Sequence, residues 1–296
     1  MHIAILTGGI STEREVALRS AANMKNWCDI SGHTSILFDL PGSLDAFIET
    51  YKSYDLIIPV FHGMYGEDGQ ITAFLSTLGC PYAYSDFTVH AGCMDKYRTN
   101  LLVEQLSVKI PKSLLIVRGQ RIESLVSPLI CYPVIVKPNH WGSSIATSKV
   151  TTREELTHAQ SLIEWDDILV QECIEWCEFT VWVYYDSTGY HALPIMEIVT
   201  GGKLFDYSEK YETDGSNEIF ANLTQKEQIN LESQSITIAK TLGTRWVVRI
   251  DWRYDAKHMY FLEVNTIPGF TASSFIPKMW KQAWKSEKEF VEMLCV

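Results

Sequence analysis

Residues 2–27 read HIAILTGGISTEREVALRSAANMKNW. The apolar run at 2–6 predicts a strand, and the Gly8-Gly9 pair that follows predicts a turn. Apolar residues then recur at helical spacing, at Val16, Ala17, Ala21, Met24 and Trp27. Thr12 and Glu15 match the T-x-x-E capping box, which predicts that the helix begins there. The chain therefore opens with a strand, a turn and a helix.

The next segments repeat this alternation. A strand is predicted at 34–40, a helix at about 44–54 and a strand at 55–61, which is apolar along its length. Strands that are covered on both faces of a parallel sheet have such continuous apolar runs. The first ninety residues are therefore predicted to form a doubly wound α/β domain with a parallel sheet.

The rest of the chain has more strands than helices. Helices are predicted at 94–106, 152–165 and 224–242, and strands at 114–117, 133–137, 168–173, 179–186 and 190–199. A hairpin of 246–254 with 259–265 follows. We predict an α/β protein, α+β in its later part, with units at 1–92, 93–175 and 176–296.

Composition limits the classes of function. The chain has 296 residues, of which 46% are apolar and 21% charged, as is typical of a soluble globular protein with two or three domains. Its 25 Lys and Arg against 36 Asp and Glu give a formal charge of −11, which argues against a nucleic-acid partner. No apolar run approaches the roughly 18 residues of a membrane helix, so we expect no membrane partner and a cytoplasmic location.

Cysteine usage indicates thiols rather than bridges. The seven cysteines are an odd number without a CxxC pair, and we predict small buried apolar thiols in a reducing compartment. Cys173 and Cys177 are the nearest pair, but no His or Cys at zinc-ligand spacing accompanies them. A zinc site is therefore not predicted.

The predicted hairpin carries a set of polar residues that chance rarely assembles. Arg249 and Asp251 are two apart on one strand, as are Glu263 and Asn265 on the next, so each pair faces one side of the sheet. Two carboxylates and an amide oxygen form a hard oxygen set suited to Mg²⁺. A cation beside them would stabilise developing negative charge. The alternative is a solvated strand face.

A second set of residues suits a triphosphate. Lys96 lies in CMDK, Lys137 ends the apolar run VIVK, and Gly142-Ser143-Ser144 could offer backbone amides to phosphate oxygens. The P-loop pattern and the dinucleotide fingerprint are both absent. Each lysine alone could equally be a solvated surface residue.

A third set lies in the predicted loops: Glu13, His62-Gly63 and Glu67-Asp68-Gly69. These loops follow the carboxyl ends of parallel strands, where ligands bind in open α/β sheets. Two alternatives remain open at this point. Glu13 could serve only the dipole of its helix, and His62 could be a packed core histidine.

Eight stretches together resemble the D-alanine:D-alanine ligases of the ATP-grasp superfamily, and they cover nearly the whole chain in the family's order. They are GGISTEREVALRS, HGMYGEDG, CMDK, YPVIVKP followed by GSS, EFTV, FDYSEKY, RIDW and LEVNTIPGFTASSFIP. The resemblance implies an amino-terminal α/β domain and two ATP-grasp domains closing over ATP. It also implies that ATP activates one D-alanine as an acyl phosphate, which a second D-alanine attacks to give the dipeptide for peptidoglycan. A homodimer is implied as well.

The resemblance also implies roles for individual residues. ATP contacts fall on Lys96, Lys137, Ser144, Gln171, Glu172, Ile174 and Glu178. Two Mg²⁺ ions, or Mn²⁺ in their place, would be held by Asp251, Glu263 and Asn265. The catalytic set is Glu13, Ser143, Tyr211, Arg249, Gly269 and Ser274, with Arg249 and the Gly269 N–H at the oxyanion. Substrate is bound by Glu13 and His62 at the first D-alanine and by Lys210 and Ser274 at the second.

Some positions differ from the family pattern. Ala146 and Trp176 stand where glycine is usual or frequent, Gln171 stands where an acidic residue commonly meets adenine, and His140-Trp141 is unusual. Tyr211 favours the dipeptide over D-alanyl-D-lactate. Two alternatives are a related ligase with another second substrate, such as D-serine, D-lactate or an L-amino acid, and a regulator that binds nucleotide without turnover. The intact metal and oxyanion residues argue against the regulator.

Overall fold

The computed structural model describes residues 1–120, 131–142, 146–158, 166–199, 218–267, 269–271, 274–283 and 285–295. Among these residues the strands form three sheets. One sheet is parallel and two are antiparallel, so the predicted mixture of α/β and α+β organisation is confirmed.

The amino-terminal sheet is parallel, in the order β2-β1-β3. Its strands are β1 (His2–Gly8), β2 (Thr34–Leu40) and β3 (Leu56–Val60). Its helices are α1 (Arg14–Ile30), α2 (Leu44–Thr50), which continues into a 3₁₀ turn (Tyr51–Ser53), and α3 (Gln70–Thr77). Every residue of β3 is buried, as expected for a strand that is covered on both faces.

The central sheet is antiparallel, in the order β4-β7-β5-β6. Its strands are β4 (Ser113–Ile116), β5 (Val134–Pro138), β6 (Ser148–Val150) and β7 (Ile168–Glu172). Helices α4 (Phe87–Met94) and α5 (Lys96–Glu104) precede it, and α6 (Arg153–His158) follows β6. Lys137 thus lies near the end of β5.

The carboxy-terminal sheet is antiparallel, in the order β11-β10-β8-β12-β13, with β9 paired to β8. Its strands are β8 (Cys177–Asp186), β9 (Gly189–Ala192), β10 (Met196–Ile198), β11 (Glu218–Phe220), β12 (Val247–Tyr254) and β13 (Met259–Asn265). Its helices are α7 (Gln225–Leu242), α8 (Phe275–Gln282) and α9 (Glu287–Leu294). A capping box of Thr224 and Glu227 fixes the start of α7.

The last helices of the chain pack against its first. Trp27 of α1 meets Phe270 and Phe290 edge-on, with ring centroids 4.6 and 5.4 Å apart. Trp280 of α8 meets Phe290 in the same way at 5.2 Å. Each such aromatic pair contributes about 1 kcal/mol beyond the apolar area it buries. One hydrophobic core therefore joins the two ends of the chain.

The core behind the carboxy-terminal sheet also includes the helix that carries Lys96. Cys93 and Val103 pack in the same cluster as Phe179, Trp252 and Phe261. Helix α5 is thereby attached to the sheet that carries the predicted metal hairpin. The boundaries at 92/93 and 175/176 remain predictions.

Three local predictions were wrong. Thr12 and Glu15 do not form a capping box, because α1 begins one residue later, with Glu13 as the N-cap residue and without a side-chain cap. The helix predicted at 94–106 is two helices, because the Asp95 backbone is extended and its carboxylate accepts a hydrogen bond from the Arg98 N–H, which starts α5. The strand predicted at 190–199 is interrupted at Pro194, which has no N–H for the ladder.

The cysteines are all free thiols. Cys28, Cys80 and Cys93 are buried as predicted, whereas Cys131 is exposed and Cys173, Cys177 and Cys295 are half-buried. None of the helices in the described residues has the length and apolar content that crossing a bilayer requires.

Candidate active site

The two strands of the hairpin bring the predicted metal residues together. Arg249 lies opposite Asn265, and Asp251 lies opposite Glu263, with a bulge directly after Asp251. Because side chains alternate along a strand, all four occupy one face of the pair. The two-residue spacing of these side chains in the sequence therefore brings all four of them close together in the structure.

Asp251 is the most enclosed member of this set, at 4% exposure. Arg249 donates to it from Nε at 2.9 Å and from Nη2 at 2.8 Å. Thr180 Oγ1 donates at 2.8 Å and Asn265 Nδ2 at 3.0 Å. The Asp251 carboxylate is therefore fixed, and the Arg249 guanidinium is fixed with it.

The donor chemistry of this face suits Mg²⁺. Asp251, Glu263 and Asn265 offer two carboxylates and one amide oxygen, and Mg²⁺ usually binds one or two carboxylates together with phosphate oxygens and water. The described residues contain no cluster of three or more His, Cys, Asp and Glu that could enclose an ion by themselves.

Both lysines of the predicted triphosphate set lie beside this face. Lys96 is 7% exposed, and its Nζ is 3.7 Å from Glu263 Oε2. Removal from water lowers the pKa of Lys137 to about 8, and the charge of Glu263 opposes that shift. The two ammonium groups and the oxygen set form one charged cleft.

Glu178 lies at the edge of this cleft with an unexpected partner. Arg253 Nη2 is 2.8 Å from Glu178 Oε2, and both side chains are largely buried, at 15% and 12% exposure. Arg253 was not predicted as a site residue. The signal was present, because Arg253 is two positions after Asp251 and therefore faces the same side of β12.

A second group of side chains converges from the amino-terminal loops. Glu13 is 4% exposed, and Gly63 lies so close that a Cβ there would be 2.8 Å from Glu13 Oε2. Gly63 also has φ +68°, so both this backbone conformation and the closeness of Glu13 exclude a side chain at position 63. A Cβ on Gly142 would be 3.6 Å from the same Glu13 oxygen. The glycine that precedes Ser143 therefore approaches Glu13.

His62 links the first sheet to the carboxy-terminal loop. It is 5% exposed, and burial lowers its pKa, so the ring is neutral. Ser20 Oγ accepts from the Phe270 N–H at 3.1 Å and lies within hydrogen-bond distance of His62 Nε2, at 3.0 Å. Asn23 Nδ2 donates to the Phe270 carbonyl at 2.9 Å. The loop that carries Gly269 is thus anchored on α1.

Glu67 is a second residue that the predicted site omitted, although its loop was noted. Its Oε2 accepts from the Gly63 N–H at 2.9 Å. It lines a small cleft with Lys96, Gly142 and Glu263. Desolvation, helped by the charge of Glu13, raises the pKa of Glu67 to about 8. At neutral pH this carboxyl is therefore mostly protonated and can donate a hydrogen bond.

Gly269 and Ser274 are neighbours at the start of α8. A Cβ on Gly269 would be 3.4 Å from Ser274 Oγ. Ser274 is the N-cap residue of α8, but its hydroxyl contacts Thr271 instead of capping the helix, 2.7 Å from Thr271 Oγ1. The predicted oxyanion and carboxylate contacts therefore share one turn of the chain.

The predicted adenine residues end β7 and begin the connection to β8. Gln171 is 2% exposed and donates from Nε2 to Ser113 Oγ at 3.1 Å. Glu172 Oε2 is 3.3 Å from the Lys112 N–H, and Ile174 is buried. The Gln171 side chain is thus engaged with the neighbouring strand. Ser143, Ser144, Lys210 and Tyr211 lie outside the described residues.

The two departures from glycine have a common backbone feature. Ala146 has φ +55° and Trp176 has φ +131°. Glycine occupies this half of conformational space without steric cost, whereas other residues are strained there. The chain therefore keeps the backbone that glycine would favour while carrying larger side chains.

Three comparisons with known proteins agree. Residues 110–295 match a family model described as D-ala D-ala ligase C-terminus. A D-alanine–D-alanine ligase of Thermotoga petrophila is 33% identical over 99% of this chain and 96% of that protein. One of Fervidobacterium nodosum is 34% identical over 99% of this chain and 98% of that protein. The crystal structure of the Bacillus anthracis ligase complexed with ATP superimposes with a TM-score of 0.86 at 25% identity, covering 99% of this chain and 96% of that one.

The chain belongs to the D-alanine:D-alanine ligase family. The resemblance inferred from the eight sequence stretches is confirmed.

Proposed function

We propose that the protein is an enzyme that joins two molecules of D-alanine at the expense of ATP, for peptidoglycan synthesis. The carboxylate of the first D-alanine attacks the γ-phosphorus of ATP, which gives an acyl phosphate and ADP. The amine of the second D-alanine attacks the acyl carbon and displaces phosphate. Family membership supports this reaction, and one observation carries it to this chain: Lys96 and Lys137 lie beside the oxygen set of the hairpin.

The first D-alanine would be bound by Glu13, whose carboxylate pairs with the substrate ammonium. Gly63 and Gly142 leave the approach to its Oε2 clear of side chains. His62 lies beside Glu13, and its neutral ring keeps the Ser20 hydroxyl oriented toward the Phe270 N–H. We place the acceptor carboxylate between this pocket and the lysines.

Phosphoryl transfer would be catalysed by positioning and charge stabilisation, since it needs no protein nucleophile. Lys96 and Lys137 bind phosphate oxygens, and Glu178 accepts from the ribose hydroxyls while Arg253 Nη2, 2.8 Å from Glu178 Oε2, holds its side chain in place. Asp251, Glu263 and Asn265 would hold two Mg²⁺ or Mn²⁺ ions. When bound, these ions would supply positive charge that offsets the charge developing during transfer.

Peptide-bond formation creates a tetrahedral oxyanion. Arg249 supplies a guanidinium that Asp251 already orients at 2.8–3.1 Å, and the Gly269 N–H supplies the second donor. Ser274, next to Gly269, would bind the carboxylate of the second D-alanine together with Lys210. Ser143 and Tyr211 would complete a network with Glu13 that closes over the site.

The test is ADP release with Mg²⁺, ATP and D-alanine alone, with mass spectrometry of the product. Formation of D-alanyl-D-alanine that depends on ATP and D-alanine is expected. Turnover only with D-serine, D-lactate or an L-amino acid as second substrate would reject D-alanyl-D-alanine as the product but retain the ATP-dependent ligation. No turnover with any of these pairs would reject the proposal.

We further propose a homodimer located in the cytoplasm. Exposed apolar side chains on the amino-terminal unit, including Ile10 at 67% and Ile48 at 40% exposure, supply surface that a second copy would cover. Sedimentation equilibrium at micromolar concentration should give twice the chain mass of 33.7 kDa. A single-chain mass there would reject the dimer.

A further inference from the structure

The backbone between β5 and Gly142 is bonded to the start of α5. Asn139 makes three of these contacts: its carbonyl accepts from the Lys96 N–H at 3.3 Å, its Oδ1 accepts from the Tyr97 N–H at 2.9 Å, and its Nδ2 donates to Asp95 Oδ1 at 2.8 Å. The Lys96 ammonium donates to the Trp141 carbonyl at 2.6 Å. The segment 139–141 and Lys96 are therefore held as one unit.

His140 lies at the centre of this unit, between two carboxylates. Its Nδ1 is 2.7 Å from Asp166 Oδ1, and its Nε2 is 3.4 Å from Asp95 Oδ2. Its own N–H donates to Asp166 Oδ2 at 2.7 Å. Asp95 and Asp166 are only 6% and 8% exposed. Two buried carboxylates are costly unless a cation compensates them.

The ring of His140 supplies that cation. Its hydrogen bonds to Asp166 and Asp95 raise the pKa of His140 to about 9. At neutral pH it is therefore an imidazolium that donates from Nδ1 to Asp166 and whose Nε2 forms an ion pair with Asp95. The charged groups that face it in the described residues are Asp95 and Asp166, and Arg98 lies against Asp95 at 3.2 Å.

We propose that His140 is a positioning residue for ATP: bound to Asp95 and Asp166, it fixes the 139–141 backbone so that the Trp141 carbonyl holds the Lys96 ammonium in place for the triphosphate. This inference rests on the proposed function, because it assigns Lys96 to the ATP phosphates. No described contact of His140 reaches the predicted substrate residues, so its action is through Lys96.

Lys96 also lies near Glu263, which is why the contact between its ammonium and the Trp141 carbonyl matters. The ammonium is 2.6 Å from the Trp141 carbonyl and 3.7 Å from Glu263 Oε2. If the carbonyl shifts, the carboxylate of Glu263 becomes the stronger partner. Lys96 would then neutralise a predicted metal ligand instead of a phosphate. The bond to the Trp141 carbonyl thus keeps the Lys96 ammonium from approaching Glu263 more closely than 3.7 Å.

The test uses the variant His140→Gln in the full chain without D-alanine. Titration calorimetry at pH 7.5 compares the Mg²⁺ complex of β,γ-imido-ATP with AMP. We expect the triphosphate to bind about tenfold more weakly, the effect of losing one charge-assisted hydrogen bond, and AMP to change less than twofold. The control is His191→Gln, which removes the half-exposed His191–Asp186 pair at 3.1 Å and should change neither affinity.

The pH dependence separates positioning from a general loss of structure. In the native chain the triphosphate affinity should exceed that of His140→Gln at pH 7.5, and this advantage should vanish as pH rises through about 9 and His140 loses its proton. Lys137 titrates in both proteins and leaves the ratio unchanged. An equal loss for AMP and the triphosphate, or a ratio that does not vary with pH, would overturn the proposal.

A second variant keeps the test valid if His140→Gln does not fold. Asp166→Asn is compared directly with the native chain: the lost charge lowers the pKa of His140, so the pH at which the triphosphate affinity falls should be lower in Asp166→Asn than in the native chain. An unchanged midpoint would overturn the proposal. Failure of the ligase proposal is detected separately, by dipeptide formation in the native chain, because none of these titrations needs turnover.

Discussion

Replacing Arg249 by alanine should remove most of the turnover while ATP still binds. The guanidinium forms a fork on Asp251, from Nε at 2.9 and 3.1 Å and from Nη2 at 2.8 Å, so its direction is fixed before substrate arrives. Loss of one such preorganised donor at an oxyanion costs about 2.7–4 kcal/mol of transition-state stabilisation. We therefore expect kcat to fall on the order of 100- to 1,000-fold.

The same substitution also affects the stability of the fold. Asp251 is 4% exposed, and among the described residues it would keep Thr180 and Asn265 as its side-chain hydrogen-bond donors. Removing one partner of a buried ion pair costs about 3–5 kcal/mol, and the partial exposure of Arg249 at 19% places this pair at the lower end. Urea unfolding measures this loss independently of turnover.

The assay is steady-state ADP release at saturating D-alanine, together with calorimetric titration of the nucleotide. Arg249→Lys keeps the charge but not the planar fork, so its kcat should lie between those of the native protein and Arg249→Ala. The matched control is Arg253→Gln on the same strand face. Because Arg253 pairs with Glu178 at 2.8 Å, this change should raise KM for ATP about tenfold with little effect on kcat.

Near-native kcat in Arg249→Ala would refute the oxyanion role. A large rise of KM for ATP with unchanged kcat in that variant would place Arg249 at the nucleotide instead. A loss of kcat in Arg253→Gln equal to that in Arg249→Ala would show that the whole strand face, and not the one guanidinium, is being disturbed.

Three further changes should have measurable results. Lys137 has a pKa of about 8 in the free protein and loses its charge as pH rises, so kcat/KM for ATP should fall as pH passes 8. Lys137→Arg should abolish this fall, and a kcat/KM that does not change with pH in the native chain would contradict the phosphate role. Burial lowers the pKa of His90 to about 4, so the neutral ring contributes about 3 kcal/mol of stability above pH 6.5, which is lost as pH falls from 6.5 to 4. In His90→Gln the unfolding free energy, measured with urea, should therefore decline less steeply over this pH range than in the native chain. Trp176 is 69% exposed at φ +131°, so Trp176→Gly should raise the unfolding free energy by about 1 kcal/mol by calorimetry, and a decrease would show that its side chain makes a stabilising contact.

Local sequence patterns predicted much of the fold and part of the site. The strand at 34–40 and the hairpin strand at 259–265 have their predicted bounds, because alternation and apolar runs are local properties. The pairing of Asp251 with Glu263 follows from the same alternation across a short turn. The same alternation of side chains along β12 would also have indicated Arg253, which is two residues beyond Asp251.

Contacts between distant segments were not predictable in this way. Asp95, His140 and Asp166 belong to three separate segments, so no spacing in the sequence relates them. The break at Asp95 depends on the competition between its carboxylate cap and helix continuation, which helical periodicity does not reveal. The raised pKa of Glu67 likewise depends on enclosure by segments far from it along the chain.

The contact between the first and last helices determines when this protein can fold during synthesis. Trp27 emerges from the ribosome about 240 residues before Phe270 and about 260 residues before Phe290, the two rings that cover it. Until then the nascent amino-terminal unit carries an uncovered apolar face, which chaperones bind and which promotes aggregation. A premature stop before Phe290 would therefore destabilise the beginning of the chain, where Glu13 and His62 reside, as much as its end.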